Sequence, residues 1–224
     1  MSRPAKIKRL IASLEMLEAS FPKEVIVVVD GQGNAETVSF LEKWKGRDHN
    51  FDATFVETRK QGGPGRARNI GIEKARGEIV AFTDDDCIVD PLWIHRLDRF
   101  LQERKEIVGA GGRVLPVGSD VVSKFFTFHR VLEPPKSLLY LVTANCCYRK
   151  NALLKIGGFP ESIKIAGGED VCVGMKLAKN GMKVGYCERA IVFHDYRTGL
   201  AEFFRTFRNY GKGCRILTDI EFDA

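Results

Sequence analysis

The chain has 224 residues, 44% of them hydrophobic and 29% charged, enough for one sizeable core. The composition indicates neither disorder nor a repeat array, and no uninterrupted apolar run approaches the ~20 residues that cross a bilayer. A net charge of +6 suits phosphate-bearing ligands or an anionic surface and specifies neither; nucleic acid is not expected as a partner.

From the N-terminus, basic Met1 to Arg9 leads into Leu10 to Leu17, which Ser13 and Glu15 interrupt. This does not read as a signal peptide, so a cytoplasmic location is expected. Pro4 suits the first turn of a helix carrying Ile7, Leu10, Ile11, Leu14 and Leu17 at helical spacing. Val25 to Val29 is a continuous β-branched run ending at Asp30-Gly31, the pattern of a parallel strand covered on both faces. Asn34 can cap a second helix with Phe40, Leu41 and Trp44. Ala53 to Val56 reads as a short strand, Pro64 to Ala75 as a helix, and Glu78 to Thr83 as an apolar strand ending in Asp84-Asp85-Asp86. Pro91 then starts a helix with Leu97, Phe100 and Leu101 on one side. This alternation predicts an α/β fold with a mostly parallel central sheet flanked by helices.

Beyond Gly109 the pattern changes. Ile107 to Val114 and Leu138 to Tyr148 read as strands with a loop-rich stretch between them. Gly167-Gly168-Glu169-Asp170 precedes a helix from Val171 to Lys179. Lys183 to Tyr186 and Ala190 to Phe193 read as short strands, and Leu200 to about Tyr210 as a last helix. No linker divides the chain, so residues 1–224 are expected to form one domain. Its first half would cover about 1–106, its second about 107–197, and its amphipathic helix and tail about 198–224. The six cysteines include no CxxC pair, and vicinal Cys146-Cys147 cannot readily bridge, so buried thiols are expected.

In open α/β sheets, ligands bind beyond the carboxyl ends of strands. Asp30 and the cluster Asp84, Asp85 and Asp86 stand at such ends, on strands that could be neighbours. Three adjacent carboxylates repel one another unless a cation or solvent neutralises them, and i, i+2 carboxylates in a turn can share one Mg²⁺ or Mn²⁺. A bare acidic triplet is more often a solvated turn; the preceding strand and Asp30 shift the balance toward metal. Gln61-Gly-Gly-Pro-Gly-Arg-Ala-Arg-Asn69 supplies the complement. Its glycines admit a close backbone approach, while Arg66 and Arg68 can donate paired hydrogen bonds to a phosphate or base. Taken alone, that segment reads equally well as a basic helix face.

EVIVVVDG, GGPGRARNIGIEKARGEIVAFTDDDCIVDPLW, ANCCYRKNALLKIGGFP and GGED, in that order from about Glu24 to His194, resemble the inverting family 2 glycosyltransferases of the GT-A fold. The resemblance implies a nucleotide-diphospho-sugar donor (a UDP-sugar favoured), Mn²⁺ or Mg²⁺, and a saccharide, lipid-linked or protein acceptor. It assigns Asp30 to the nucleotide base, and Arg66, with Arg68 second, to base or diphosphate. Asp86 becomes a metal ligand and Asp84 a ribose or metal contact, beside Asp85. Asp170 becomes the catalytic base, with Glu169 orienting the acceptor or Asp170. His194 falls where some members place a third metal ligand or a diphosphate contact, and the halves 1–106 and 107–197 become the nucleotide-binding half and the acceptor and catalytic half. Family members usually open with a strand reading like Val-Ser-Val-Ile-Ile-Pro-Thr-Tyr-Asn ahead of the helix that begins here at Pro4; that strand is expected to be absent. Cys172, where relatives often carry an acidic or polar residue, has no functional account.

The last helix sets Leu200, Phe203, Phe204, Phe207 and Tyr210 against Arg205, Arg208 and Lys212. Packing on the core is the preferred reading, with peripheral membrane contact as the functional one. Two rivals remain: a nucleotide-sugar-binding protein without catalysis, and a nucleotidyltransferase. The second would need a strand-end glycine-rich signature near the N-terminus, which the sequence lacks.

Overall fold

A computed structural model describes residues 4–222, and side chains through residue 218. Helix α1 (Pro4–Glu15) starts at its proline and buries Ile7, Leu10, Ile11 and Leu14 on one face. Each such aliphatic group stabilises the fold by roughly 1.5–3 kcal/mol. Strand β1 (Glu24–Val29) pairs in parallel with β2 (Asp52–Glu57) through helix α2 (Ala35–Lys45). As its residue type predicts, Asn34 caps α2 by accepting the Glu36 N–H at 2.9 Å. Helix α3 (Pro64–Lys74) packs on β1 and leads to β3 (Ile79–Thr83). The acidic turn follows directly, then the short strand β4 (Cys87–Val89) and helix α4 (Trp93–Glu103).

The second half runs β5 (Ile107–Pro116), α5 (Val121–Phe128), β6 (Asn145–Arg149), α6 (Lys150–Lys155), α7 (Glu169–Lys179), β7 (Lys183–His194) and α8 (Leu200–Phe222). Strands β1 and β2 form one two-stranded sheet. The others form a second in the order β3-β6-β5-β7-β4. Its pairings are mixed: β5 and β7 are parallel, whereas β3/β6, β5/β6 and β4/β7 are antiparallel. The parallel order expected from the sequence thus holds for β1 and β2 but not throughout. The connection from β5 to β6 holds α5 and a loop and re-enters the sheet at the end where β5 leaves it, which gives the antiparallel direction.

Several boundaries differ from the sequence pattern for identifiable reasons. The expected strand Leu138 to Tyr148 shrinks to Asn145–Arg149, because two turns precede it. Leu138 donates to the Pro135 carbonyl at 2.8 Å and Asn145 to the Val142 carbonyl at 3.1 Å, and Leu138 has φ +50°. The two short strands after Lys183 are one: opposite Gly112–Arg113 the pairing skips from Cys187 to Ile191, a bulge that lets β7 continue. The stretch expected to be loop-rich contains α5, capped by the Asp120 carboxylate on the N–H groups of Val122 and Ser123. Strand β4 and helix α6 lack a sequence counterpart above, and α8 extends well past Tyr210.

Asn145 pins this half together. Its amide donates to the Arg113 and Ala190 carbonyls (2.8 and 2.9 Å) and its oxygen accepts the Trp93 indole N–H at 2.8 Å. Gly112 beside it must lack a side chain, since a Cβ would stand 2.3 Å from the Ala190 oxygen. One core lies under α1, α2 and α4, a second between β6, α3, α6 and α7, and an aromatic one joins α5 to α8. Five cysteines are buried and Cys214 is exposed; all are free. Among the described residues no helix is long and apolar enough to cross a membrane.

Candidate active site

One cavity of about 1420 Å³ collects nearly all the sequence-predicted residues: Asp30, Arg68, Asp84, Asp85, Asp86, Glu169, Asp170 and His194 line it. Two elements bring the acidic turn there. Strand β3 ends at Thr83 opposite Asn145, and β4 begins at Cys87 opposite His194, so Asp84 to Asp86 cross between the two outer strands of the five-stranded sheet. The His194 imidazole Nε2 thereby lies 3.3 Å from Asp86 Oδ1 and 3.9 Å from Asp84 Oδ2. Its ring stacks on Tyr196 at 4.6 Å. Asp86 is buried, and the Lys6 ammonium stands 4.0 Å from its other oxygen.

Asp86 and His194 offer a hard oxygen and nitrogen pair of the kind that Mn²⁺ or Mg²⁺ takes, with Asp84 3.9 Å from the imidazole. Cys87 also brings its sulfur within 4.8 Å of Asp86 and His194 ligand atoms. Burial first, and the nearby Asp84 charge second, push that thiol well above its usual range, so without a cation it is protonated. Asp84 is itself raised, by desolvation, against the lowering pull of Arg68 and His194.

The opposite wall is built at the start of α7. Gly168 caps the helix at φ +92°, with Gly167 at φ +125° before it, conformations a side chain would strain. This turn points Glu169 and Asp170 back at α3. Glu169 is buried, accepting the Gly167 N–H at 2.7 Å and the Arg68 guanidinium at 2.8 Å. Asp170 Oδ2 accepts from the backbone and hydroxyl of Thr143 (3.2 and 3.3 Å), while buried Oδ1 accepts no hydrogen bond. Desolvation raises the Asp170 carboxyl to about 7, with Arg68 lowering it and Glu169 raising it. Burial outweighs the favourable helix N-terminus here.

Arg68 therefore sits where the two walls meet. Besides Glu169, it lies 3.8 Å from Asp170 and 3.7 Å from Asp84, with its guanidinium over the Phe159 ring at 5.4 Å. Arg66 turns the other way, donating to the Lys60 carbonyl at 3.2 Å. Asp30 holds the glycine loop: its carboxylate accepts the N–H groups of Gly62 and Gly63 at 2.7–3.0 Å. Gly63 has φ +90°, and a Cβ there would meet Lys164 backbone at 2.8 Å.

Two cavity residues were not expected at this site from the sequence. Thr143 lies in a turn, and its role depends on Asp170, 27 residues away. Tyr210 reaches the site on α8; burial first, then the charges of Asp84, Asp170, Glu169 and Asp86, push its hydroxyl far up and keep it protonated. Helix α8 can come this close because Gly213 meets the Gly167 backbone, where a Cβ would fall 1.7 Å from its oxygen.

The description "Glycosyl transferase family 2" matches residues 2–157. The pre-mycofactocin glycosyltransferase of Mycobacterium tuberculosis is 27% identical over 92% of this chain and 43% of that protein. The poly(ribitol-phosphate) beta-N-acetylglucosaminyltransferase TarS of Staphylococcus aureus is 31% identical over 86% of this chain and 34% of its own length. The chain thus spans less than half of either relative. Among solved structures, the mannosyltransferase PcManGT from Pyrobaculum calidifontis, in complex with GDP-Man and Mn²⁺, superposes with a TM-score of 0.71 at 20% identity; the match covers 96% of this chain and 61% of that one. A TarS structure from S. aureus in complex with UDP-GlcNAc gives a TM-score of 0.66 at 24% identity, over 86% and 55%. Fold and family description agree over most of the chain, and the chain belongs to glycosyl transferase family 2, with the GT-A fold.

Proposed function

We propose that this chain transfers a sugar from a nucleoside-diphospho-sugar, a UDP-sugar in the first instance, to an acceptor hydroxyl with inversion at the anomeric carbon. The observation that carries this reading is the facing of two walls across one cavity. On one side Asp86 and His194 stand 3.3 Å apart, with Asp84 3.9 Å from the imidazole; on the other stands Asp170, raised to about 7. A carboxylate poised near neutrality suits a general base, and Asp170 Oδ1 is the oxygen without a hydrogen bond. It takes the acceptor hydroxyl proton as that oxygen attacks, so no enzyme nucleophile is needed and one displacement inverts the configuration.

Asp86 and His194, with Asp84, would hold Mn²⁺ or Mg²⁺, which supplies electrostatic stabilisation to the departing diphosphate. The Mn²⁺ and the GDP-Man and UDP-GlcNAc bound in solved relatives support that donor class. Asp30, which holds the glycine loop, is placed beside the nucleobase in this reading, and Arg66 stands in the first turn of α3 directly after that loop. Arg68 is a positioning residue in this reading. It holds Glu169 and Asp170 in place and moderates the charge of Asp84. Tyr210, kept protonated, is a hydrogen-bond donor over the acceptor half. The acceptor is a saccharide, a lipid-linked sugar or a protein. The exposed apolar side chains Leu200 and Phe204 on α8, which also carries Arg205 and Arg208, with Val121 and Phe128 exposed on α5, favour one held at an anionic membrane.

A screen of nucleoside-diphospho-sugars for Mn²⁺-dependent hydrolysis tests the reading, with UDP-sugars expected to be turned over. Loss of turnover in Asp170→Asn with unchanged UDP binding supports the base, and full turnover in that variant refutes it. Binding of UDP and Mn²⁺ without any turnover would instead favour a binding protein.

A further inference from the structure

Strand β4 opens on Cys87, and its antiparallel register sets that residue directly opposite His194, the last residue of β7. Residues opposed in this way send their side chains to the same face of a sheet, with Cβ atoms about 4.5–5.5 Å apart. The Asp195 N–H donates to the Asp86 carbonyl at 2.9 Å and extends the ladder by one step. A Cys87 sulfur, an Asp86 carboxylate oxygen and a His194 ring nitrogen therefore all lie within 4.8 Å of one another. Cys87 and His194 are held by paired strands rather than by a loop, which fixes their spacing.

Hydrogen bonding does not account for His194. Among the described residues its buried Nδ1 has no hydrogen-bond partner. Its Nε2 meets Asp86 Oδ1 only at 3.3 Å, longer than an ordinary N–H···O bond. Around a tetrahedral ion with bonds of ~2.0–2.3 Å, neighbouring donor atoms stand roughly 3.3–3.8 Å apart. The imidazole nitrogen and the carboxylate oxygen already have that separation. The sulfur joins them by moving little more than about 1 Å.

The donor types separate two ions. Mn²⁺ and Mg²⁺ take oxygen-rich sets, and the diphosphate of a bound donor would bring much of the charge they need. A thiolate selects softer ions, and Zn²⁺ also binds nitrogen and oxygen ligands more tightly than Mn²⁺ does. Charge acts in the same direction. Held by Asp86 and neutral His194 alone, a divalent ion keeps one positive charge in a buried place, which is costly. The Cys87 thiolate cancels it: the S–H bond breaks, the S–Zn bond forms and the proton passes to solvent.

We propose that Asp86, Cys87 and His194 form a Zn²⁺ site that fills without nucleotide. It excludes the catalytic ion, because Asp86 and His194 serve both, and so holds the protein inactive until a chelating ligand removes the zinc. The exclusion rests on the transfer reading above; the site itself does not.

Zn²⁺ alone tests the site. Competition with a chelating dye should find one tight site in the reduced, metal-free protein. Zinc X-ray absorption should find one sulfur neighbour at about 2.3 Å. Cys87→Ser should lose that sulfur and weaken Zn²⁺ binding by at least ~10-fold, the loss that even an outer-shell partner brings. Cys214→Ser, which removes the exposed thiol, should change neither. Should Cys87→Ser fail to fold, Cys87→Ala reads the same. One equivalent of Zn²⁺ should also abolish Mn²⁺-dependent UDP binding in the parent and spare it in Cys87→Ser. The proposal is overturned if the parent holds Zn²⁺ no more tightly than the Cys87 variants, or if its zinc spectrum carries no sulfur. It is equally overturned if the sulfur survives in a Cys87 variant or is lost in Cys214→Ser. Zinc held through Cys87 without any UDP binding would support the site and count against the transfer reading alone.

Discussion

Arg68→Met removes the guanidinium that, among the described residues, touches both walls of the cavity. Arg68 lies 2.8 Å from Glu169, 3.8 Å from Asp170 and 3.7 Å from Asp84, with side-chain exposures of 17%, 3%, 15% and 37% in that order. Asp84 is more than a third exposed, so solvent screens its share and it is left out of the energy. Breaking the buried contacts to Glu169 and Asp170 should cost about 3–5 kcal/mol, because two carboxylates lose their counter-charge. For a chain of this size that is a fall in Tm of roughly 6–20 °C. Arg68 also lowers the Asp170 carboxyl against desolvation. Without it the acid limb of the pH–rate profile should move up by roughly 1–3 pH units. Thermal melts and a pH profile of donor hydrolysis measure both, and Arg68→Lys, which keeps the charge but loses the fork, should fall between. A Met variant with Tm within ~2 °C of the parent and an unmoved acid limb would refute the reasoning.

Other outcomes follow from the same geometry. Asp170→Asn should cut transfer by at least ~100-fold while leaving UDP affinity within about twofold, as calorimetry would read. Because the folded carboxyl is raised to about 7, the unfolded chain ionises first as pH rises. Asp170 therefore costs stability above pH ~4, increasingly until ~7. Urea titrations should then find Asp170→Asn more stabilising at pH 8 than at pH 4, and equal effects would contradict the burial argument. Asp86→Ala should weaken Mn²⁺-dependent UDP binding by at least ~10-fold, whereas Cys87→Ser should not; the reverse order would make the thiol the ligand. Gly213→Ala places a methyl against the Gly167 carbonyl, so it should lower both Tm and turnover, and a neutral result would detach α8 from the site. Flotation with anionic vesicles should recover the chain at low salt and lose it on Phe128→Ser with Phe204→Ser; no flotation at any salt would end the membrane reading.

What the sequence made legible was mostly local. Pro4, Asn34 and the Val25 to Val29 run act through their own few neighbours, so their helices and strand follow from residue type. Strand β4, three residues long, is held by β7 a hundred positions away, and nothing in Cys-Ile-Val announces that pairing. Leu138 to Leu141 resemble a strand in composition, but Leu138 donates into one turn and a second turn, Val142 to Asn145, follows. The candidate site divides the same way. A carboxylate triplet after a strand is visible in one dimension, as is a Glu-Asp pair after two glycines. That Arg68 faces those carboxylates while Arg66 turns to Lys60 depends on which side of α3 meets α7. Thr143 and Tyr210 are ordinary residues until the fold sets Asp170 beside them.

The acidic turn joins strands on opposite edges of the five-stranded sheet, and this bears on how the molecule acquires its site. Asp84 and Asp86 are neighbours in sequence, but His194 reaches them only once β6, β5 and β7 have been laid between β3 and β4. Those pairings are non-local, and the loop-closure entropy they cost favours late formation. A divalent ion should consequently do little for the folding rate and act mainly by slowing unfolding. Stopped-flow refolding and unfolding with and without Mn²⁺ would separate the two limbs. On this view a newly made chain commits to its topology before it can bind the ion.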